Sequence, residues 1–212
     1  MQLSDSAHVH AEAEAEAEAV EIITVCTGNI CRSPFAEIVL RDRLAGLPVV
    51  VGSAGTHAVV GAPLPAAMAI GASTRGLDAT HAARQVTADM LRTPDLVLGL
   101  ARDHRRAVAT LAPRSGRKAL TLLELARIVE HRGPELAREA HAAAPDVVGR
   151  LRAAIGFALA ERGTVRPPEH PADLDVADPF GRDDKAYARA VEQIVRAVDL
   201  VSDHLHHAAG HR

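Results

Sequence analysis

Short apolar runs alternate along the chain with longer stretches in which apolar residues recur every three or four positions. Four runs rich in Val, Ile or Leu have the length of buried strands and lie at residues 20–25, 48–51, 95–100 and 119–122. Helical periodicity follows the first three runs, at residues 34–44, 65–74 and 102–111. Strands that alternate with helices predict an α/β fold, here a four-stranded parallel sheet with helices on both faces.

Helical patterns dominate the second half of the chain. Thr121 and Glu124 have the spacing of a capping box and predict a helix start. The last helix carries one apolar stripe, formed by Tyr187, Val191, Ile194, Val198, Val201 and Leu205. An Ala-rich, charged stretch lies between Gly133-Pro134 and Pro167-Pro168. We interpret residues 134–168 as an insertion of one or two extra helices packed on the outside of the domain.

The beginning of the chain contains an alternating Ala-Glu run from Ala11 to Ala19. Such a run has good helix propensity but no apolar stripe to bury. We therefore predict a disordered leader over residues 1–19 and one folded domain over residues 20–209.

Composition narrows the possible partners. The 212 residues suffice for one domain, and the formal net charge of -3 offers no basic excess for a nucleic-acid partner. No apolar run approaches the roughly 18 residues of a membrane span, and no secretory signal is recognisable, so neither a membrane partner nor a site outside the cytoplasm is expected. The sequence indicates no particular oligomeric state. Two cysteines, Cys26 and Cys31, are too few for a disulfide framework and indicate catalysis or redox sensing.

The candidate chemistry lies in the loop after the first strand, which reads Cys26-Thr27-Gly28-Asn29-Ile30-Cys31-Arg32. A tight strand-loop-helix turn points successive backbone N–H groups inward and forms an anion site. A thiol at a helix N-terminus beside a guanidinium ionises readily, which predicts Cys26 as a nucleophile. The planar fork of Arg32 suits a clamp on two phosphate oxygens.

The residues that follow the loop fit the start of a helix. Ser33 matches an N-cap and Pro34 the first helical position, and the Ser33 hydroxyl is placed to donate to the Cys26 sulfur. Inert packing and a metal site are the alternatives for the cysteines. Two thiolates five residues apart do not match zinc spacing, so we expect no metal and no cofactor. The predicted phosphate-binding residues are Thr27, Gly28, Asn29, Ile30, Cys31 and Arg32.

At this point the sequence resembles the low-molecular-weight protein-tyrosine phosphatases. The resemblance rests on residues 25–34, on Ser53-Ala54-Gly55-Thr56, on His81-Ala82-Ala83-Arg84-Gln85 and on Asp178-Pro179-Phe180, which occur in the family's order. It implies the family fold of a four-stranded parallel sheet with helices on both sides. It also implies that Ser53 and His81 support the loop, Ser53 through Asn29, without reacting themselves.

The acid loop completes the predicted site. Protonation of a leaving oxygen needs a carboxylic acid, and the resemblance gives that role to Asp178, followed by a role as base towards water. Pro179 stiffens this loop, and Phe180 offers a wall for a substrate ring. The expected substrate is a phosphorylated protein or a small phosphoaryl compound. A helix-capping or loop aspartate is the alternative for Asp178, because other aspartates crowd the same region.

Several rival functions share the fold. Phosphoarginine phosphatases resemble the chain from Asp178 to Gly181, but they have Thr where this loop has Ile30, and an apolar β-branched residue favours a phosphoaryl group. Arsenate reductases need cysteines downstream of Cys31, and the chain has none. A binding module that holds anions without turnover is a further alternative. The joint presence of Cys26, Arg32 and Asp178 disfavours it.

Two further expectations concern cysteine and histidine. Cys31 is close enough in sequence to trap an oxidised Cys26 as a reversible disulfide, or it merely packs the loop, and the sequence leaves both open. The histidines His204, His206, His207 and His211 stand near the end of the chain and are expected in a solvated tail.

Overall fold

The computed structural model describes residues 19–211. Four strands form one parallel sheet in the order β2-β1-β3-β4, with bounds Val20–Cys26 (β1), Val49–Gly55 (β2), Leu96–Gly99 (β3) and Ala119–Thr121 (β4). Six helices accompany them: Arg32–Arg43 (α1), Ala66–Ser73 (α2), Arg102–Leu111 (α3), Leu122–Ala143 (α4), Val147–Ala160 (α5) and Asp184–Ala209 (α6). Short 3₁₀ turns occupy Asp89–Leu91, Ser115–Lys118 and Pro171–Leu174. The four predicted strands and the predicted fold class are confirmed.

The central strand β1 is buried on both faces, which explains its nearly continuous apolar sequence. Ile22 packs into the core on one face of the sheet, while Ile23 and Val25 pack on the other. Since β1 pairs in parallel with β2 and β3, the carboxyl ends of all three strands meet at one edge of the sheet. In open parallel sheets this edge is where ligands bind.

The two faces of the sheet carry unequal layers. The larger core contains side chains from α1, α2, α4, α5 and α6, among them Phe35, Met68, Leu122, Leu151 and Ile194. The smaller core on the other face contains Val97, Leu91 and the α3 residue Val108. The prediction of helices on both faces is therefore confirmed. The capping box is also present, because the Thr121 hydroxyl accepts from the Glu124 amide at 3.0 Å.

No break in the helix marks the predicted border of the insertion at Gly133-Pro134, because α4 continues through Pro134 to Ala143. The insertion itself stays a prediction. A proline within a helix removes one backbone hydrogen bond, and the packing of α4 against α6 and α5 compensates for this loss. The break in the helical region comes later. Asp146 caps α5, its carboxylate accepting from the Gly149 amide at 2.8 Å. Buried α5 residues such as Leu151 join the main core, so this helix does not merely lie on the outside.

Both ends of the folded part differ from expectation. The predicted solvated histidine tail is wrong for His204, which is buried on α6 and hydrogen-bonds the Gly133 carbonyl oxygen at 3.3 Å. His206 lies on the same helix with its Nε2 2.8 Å from the Arg43 carbonyl oxygen. The leader was predicted over residues 1–19, and residues 1–18 of it lie outside the described residues. Its last residue, Ala19, is buried, and its carbonyl accepts from Arg152 at 3.2 Å.

Within residues 19–211, no helix combines the length and the apolar character that crossing a membrane requires.

Candidate active site

The loop that follows β1 is held from outside through its carbonyl groups. The carbonyl oxygens of Cys26, Thr27 and Gly28 accept from the amides of the segment after β2, each at 2.9–3.0 Å, with donors Thr56, His57 and Val59. The Asn29 carbonyl oxygen lies 2.7 Å from His81 Nε2, so this nitrogen carries the donated proton. Four consecutive carbonyl groups of the loop thus point away from its centre.

The amides of the loop consequently face the centre. In a trans peptide the N–H points opposite to the preceding C=O, so the N–H groups of residues 27–30 project to the inner side. None of these four amides has a hydrogen-bond partner among residues 19–211. Together with the N-terminus of α1, they form a concave surface of donors that suits a tetrahedral oxyanion.

Asn29 sets the curvature of the loop. Its φ of 53° is the only positive value of a non-glycine residue in the described part of the chain. The side chain holds this conformation from three directions: Oδ1 accepts from the Arg84 amide at 2.8 Å, and Nδ2 donates to Ser53 Oγ at 2.8 Å and to Ser33 Oγ at 3.0 Å. The predicted support residues Ser53 and His81 therefore both contact Asn29.

The end of β2 approaches the loop so closely that it requires glycine. A Cβ atom added at Gly55 would lie 2.5 Å from the Thr27 carbonyl oxygen and 2.9 Å from the Asn29 nitrogen. Both contacts are with backbone atoms that cannot rotate away. The absence of a side chain at Gly55 thus lets β2 position the loop.

Cys26 lies at the last position of β1, and 2 % of its surface is exposed. The Ser33 hydroxyl donates to Cys26 Sγ at 2.9 Å. This agrees with the predicted contact, but the predicted N-cap role of Ser33 is wrong. The helix α1 begins two residues earlier than predicted, at Arg32, and Cys31 occupies the cap position. The cause is that the Ser33 hydroxyl is directed at the sulfur and Asn29 instead of the helix amides.

Arg32 joins the phosphate loop to the acid loop. The residue is buried, its Nη2 donates to Asp178 Oδ2 at 2.7 Å, and its Nη1 donates to the Val176 carbonyl oxygen at 3.2 Å. Its Nε is buried with no partner among residues 19–211. A buried guanidinium donor left free in this way suits the binding of an oxyanion. Asp178 itself is half-exposed, and its Oδ1 accepts from the Phe180 amide at 3.2 Å.

The acid loop is fixed at its start by residues that the sequence analysis missed. The Asp175 carboxylate accepts a hydrogen bond from the Arg102 amide at 2.7 Å and three further hydrogen bonds from the Arg102 guanidinium at 2.9, 3.1 and 3.2 Å. Burial opposes the charge of Asp175, but the hydrogen bonds from Arg102 outweigh it and lower the pKa of this carboxyl group. Asp178 follows three positions after Asp175. The first turn of α3 therefore anchors the loop that carries the candidate acid.

Apolar side chains surround the opening of the loop. Val59 and Phe180 are exposed at 52 % and 61 %, and a Cβ added at Gly28 would lie 3.8 Å from Val59. Thr27 is exposed at the rim, whereas Ile30 is buried in the loop wall. The predicted substrate wall, Phe180, therefore lies in the same loop as Asp178 and faces solvent.

His104 is a further residue that sequence reasoning missed. It lies in the first turn of α3 at the carboxyl edge of the sheet, is 5 % exposed, and places Nε2 3.0 Å from Thr27 Oγ1. Burial, and then the positive charge of Arg32, lower the pKa of His104 to about 4. Its Nδ1 has no partner within residues 19–211. Its position in the sequence could have identified it, because it follows a central strand and binding residues of parallel sheets often lie at the carboxyl ends of such strands.

The low pKa of His104 predicts a pH-dependent stability. An unfolded histidine takes up its proton near pH 6.5, whereas His104 in the folded chain does so only near pH 4. Between these values the unfolded chain binds the extra proton, so the free energy of unfolding falls as the pH falls. We expect His104 to account for about 1.5 kcal/mol of the fall between pH 6.5 and pH 5. Urea unfolding of His104→Gln should show a correspondingly shallower pH dependence.

The control for this prediction is His131→Gln, because His131 is exposed on α4. That variant should follow the pH dependence of the parent protein. If His104→Gln and the parent lose the same stability between pH 6.5 and pH 5, the assignment of this effect to His104 is wrong.

Cys31 is the last loop residue before α1. It is buried, and burial, followed by the proximity of Cys26, raises its pKa to about 12. The hydroxyl of Tyr187, on α6, faces both the Cys31 thiol and the backbone of Gly181. No disulfide joins Cys26 and Cys31 in this structure. The protonated state of Cys31 favours its role in packing while Cys26 is reduced, and its role as a trap for oxidised Cys26 stays a prediction.

These features define a class of α/β proteins in which a central strand ends in a cysteine beside an amide-lined anion site and an arginine. The chain belongs to the low molecular weight phosphotyrosine protein phosphatase family, whose model matches residues 21–136, more than half of its length. The matched range contains Cys26, Arg32 and the residues that brace the loop. Asp178 lies beyond it.

Curated relatives agree with this membership. The chain is 46 % identical over 93 residues to the low molecular weight protein-tyrosine-phosphatase Etp of Escherichia coli K12, a match that covers 43 % of this chain and 62 % of Etp. It is 44 % identical over 96 residues to the low molecular weight protein-tyrosine-phosphatase of Streptomyces coelicolor, covering 42 % of this chain and 57 % of the relative. The chain thus spans about six-tenths of the length of the curated relatives it matches.

Solved structures show the same fold over a larger part of the chain. Wzb of Vibrio vulnificus in complex with benzylphosphonate superposes with a TM-score of 0.60 at 22 % identity, covering 87 % of this chain and 97 % of Wzb. The YwlE arginine phosphatase from Geobacillus stearothermophilus gives a TM-score of 0.60 at 22 % identity, and the match covers 87 % of this chain and 91 % of that phosphatase. At this level of identity the likeness concerns the fold alone.

Proposed function

We propose that this chain hydrolyses phosphoaryl monoesters, above all phosphotyrosine in proteins, through a cysteinyl-phosphate intermediate. One observation carries the proposal: in the loop that follows Cys26, four amides and the Nε of Arg32 have no hydrogen-bond partner among residues 19–211. This arrangement neutralises a phosphoryl group without a metal. The names of the curated relatives, which are protein-tyrosine phosphatases, support the same reaction.

In the first step the Cys26 sulfur anion attacks phosphorus and the bond from phosphorus to the aryl oxygen breaks. The Ser33 hydroxyl, 2.9 Å from Sγ, and the N-terminus of α1 stabilise negative charge on the sulfur. Loop amides and the Arg32 fork hold the non-bridging oxygens. Asp178 gives its proton to the leaving oxygen, so a neutral phenol departs.

In the second step a water molecule attacks the phosphorus of the cysteinyl phosphate. Asp178, now a carboxylate, takes a proton from this water. The bond between sulfur and phosphorus breaks, inorganic phosphate leaves, and the sulfur regains its negative charge. Arg32 contacts Asp178 in the free protein at 2.7 Å, so a bound phosphoryl group competes with Asp178 for the guanidinium.

The loop wall favours a phosphoaryl group over phosphoarginine. Ile30 is buried in that wall and offers only apolar atoms, whereas phosphoarginine carries N–H groups that need acceptors. Phe180 and Val59 add exposed apolar surface for a ring. We also propose that residues 20–209 form one phosphatase domain to which α5 is an addition. The family model supports this because its match ends at residue 136, before α5.

Hydrolysis assays with chelator present test the proposal. We expect turnover of p-nitrophenyl phosphate without added metal, and cleavage of a phosphotyrosyl peptide about tenfold faster than of a phosphoarginyl peptide with the same flanking sequence. Ile30→Thr should shift this ratio towards arginine, because its hydroxyl supplies the missing acceptor. Faster cleavage of phosphoarginine by the parent protein would establish the arginine phosphatase alternative instead. Phosphate binding without hydrolysis of any substrate would establish the anion-binding alternative.

A further inference from the structure

An open groove runs between α2 and the first turns of α6, which we call the α2–α6 groove. It has a volume of about 390 Å³ and a mostly apolar lining that includes Ile70, Gly71, Tyr187 and Val191. Ile70 is 60 % exposed on its wall, a large apolar side chain without a covering partner among residues 19–211. Arg75 lies on one rim.

The groove adjoins the candidate active site through two side chains. Tyr187 lines the groove, and its hydroxyl faces the Cys31 thiol and the Gly181 backbone, which belong to the phosphate loop and the acid loop. The floor rests on Phe35, three residues after Arg32, because a Cβ at Gly71 would lie 3.5 Å from the Phe35 ring. One tyrosine therefore separates the groove from both loops.

The occupant of this groove follows from its position. When the phosphate loop holds a phosphorylated residue, the neighbouring residues of the same polypeptide must cross the adjoining surface. An extended chain advances about 3.4 Å per residue, so residues a few positions away reach across one aromatic side chain. The lining is apolar, and one wall is an exposed isoleucine. An aliphatic or aromatic side chain of the substrate that enters the groove is therefore buried favourably.

We propose that the α2–α6 groove binds an apolar side chain of the phosphoprotein substrate, a few residues from the phosphorylated residue, and so selects among phosphoproteins. This rests on the proposed phosphatase function. The mouth itself accepts the phosphorylated side chain, and the groove discriminates by the sequence around it. Small phosphoaryl substrates do not reach the groove.

Matched phosphotyrosyl peptides test this inference. Each peptide carries one leucine, placed at successive positions on either side of the phosphotyrosine in an otherwise Gly-Ser sequence. We expect leucine at one or two positions to raise kcat/KM about tenfold over the peptide without leucine. Ile70→Asp should remove that gain and leave p-nitrophenyl phosphate hydrolysis unchanged. The matched control is Leu111→Asp, because Leu111 is an exposed apolar residue at the end of α3, and it should preserve the gain.

The possible outcomes separate this inference from the proposed function. If the parent protein fails to hydrolyse p-nitrophenyl phosphate, the proposed function is wrong. If it does hydrolyse this compound but leucine at no position raises kcat/KM, or Ile70→Asp keeps the gain, the groove does not bind substrate. The other possible occupant of the groove is a second copy of the chain, and sedimentation at rising protein concentration tests for it. A dimer that Ile70→Asp dissociates would show that a second copy fills the groove, and would overturn the inference.

Discussion

Cys26→Ser should lower kcat for p-nitrophenyl phosphate by at least about 10⁴-fold, to a level indistinguishable from buffer. The reason is chemical, because a serine hydroxyl remains protonated where a thiol is converted to an anion, and the alkoxide is not available to attack phosphorus. The amides of residues 27–30 and Arg32 do not depend on the sulfur, so the anion site should survive. Steady-state kinetics and calorimetric titration with inorganic phosphate measure the two properties separately.

Cys31→Ser is the matched control for this substitution. The same chemical change is made five residues away in the same loop, at a thiol that is buried. Burial raises the pKa of the Cys31 thiol to about 12, so it remains protonated and cannot replace Cys26 as nucleophile. Cys31→Ser should retain most of the activity. Comparable loss in both variants, or substantial turnover by Cys26→Ser, would contradict the assignment of the nucleophile.

The strands and most helices of this protein were predictable because their signals are local. The apolar run of β1 is continuous because both faces of the strand are buried, and the capping box at Thr121 lies within four consecutive residues. The phosphate loop was predictable for the same reason. Its glycine, asparagine, cysteine and arginine all lie in one short segment, so their common role is visible without knowledge of the fold.

What could not be predicted depends on contacts between distant segments. Arg102 and Asp175 are 73 residues apart, and the sequence around neither residue predicts their ion pair. His204 looks like part of a polar tail in the sequence. In the structure its side chain is buried, and its hydrogen-bond partner is the Gly133 carbonyl oxygen on another helix. Pro134 carries a strong local signal for a helix end, but tertiary packing of α4 overrides it. Pattern analysis fails at such places because packing is decided by the surface of the neighbouring element.

The candidate acid illustrates both situations. The sequence places several aspartates between residues 173 and 184, and local pattern does not choose among them. In the structure, Asp175 forms an ion pair with Arg102. Asp183 caps α6, because its carboxylate accepts a hydrogen bond from the Ala186 amide at 2.9 Å. Asp178 alone of these contacts Arg32, at 2.7 Å. Its half-exposed side chain can therefore meet a leaving group above the bound phosphoryl group.

Asp178→Asn should consequently produce a loss of rate that depends on the leaving group. For a phosphotyrosyl peptide, whose tyrosine is a poor leaving group without a proton, kcat should fall about 10²- to 10⁴-fold. For p-nitrophenyl phosphate the loss should be much smaller, because nitrophenolate departs unaided. A series of aryl phosphates with leaving groups of increasing basicity gives the measurement, and the slope of log kcat against leaving-group pKa should become steeper in the variant.

Asp173→Asn provides the comparison, because Asp173 is exposed in the 3₁₀ turn before the acid loop and is no part of the site. It should leave the slope of the parent protein unchanged. A role of Asp178 limited to holding Arg32 makes a different prediction: the guanidinium would be equally misplaced for every substrate, so all aryl phosphates would slow by the same factor. A parallel downward shift of the whole series would therefore contradict proton donation by Asp178 and leave it as a positioning residue.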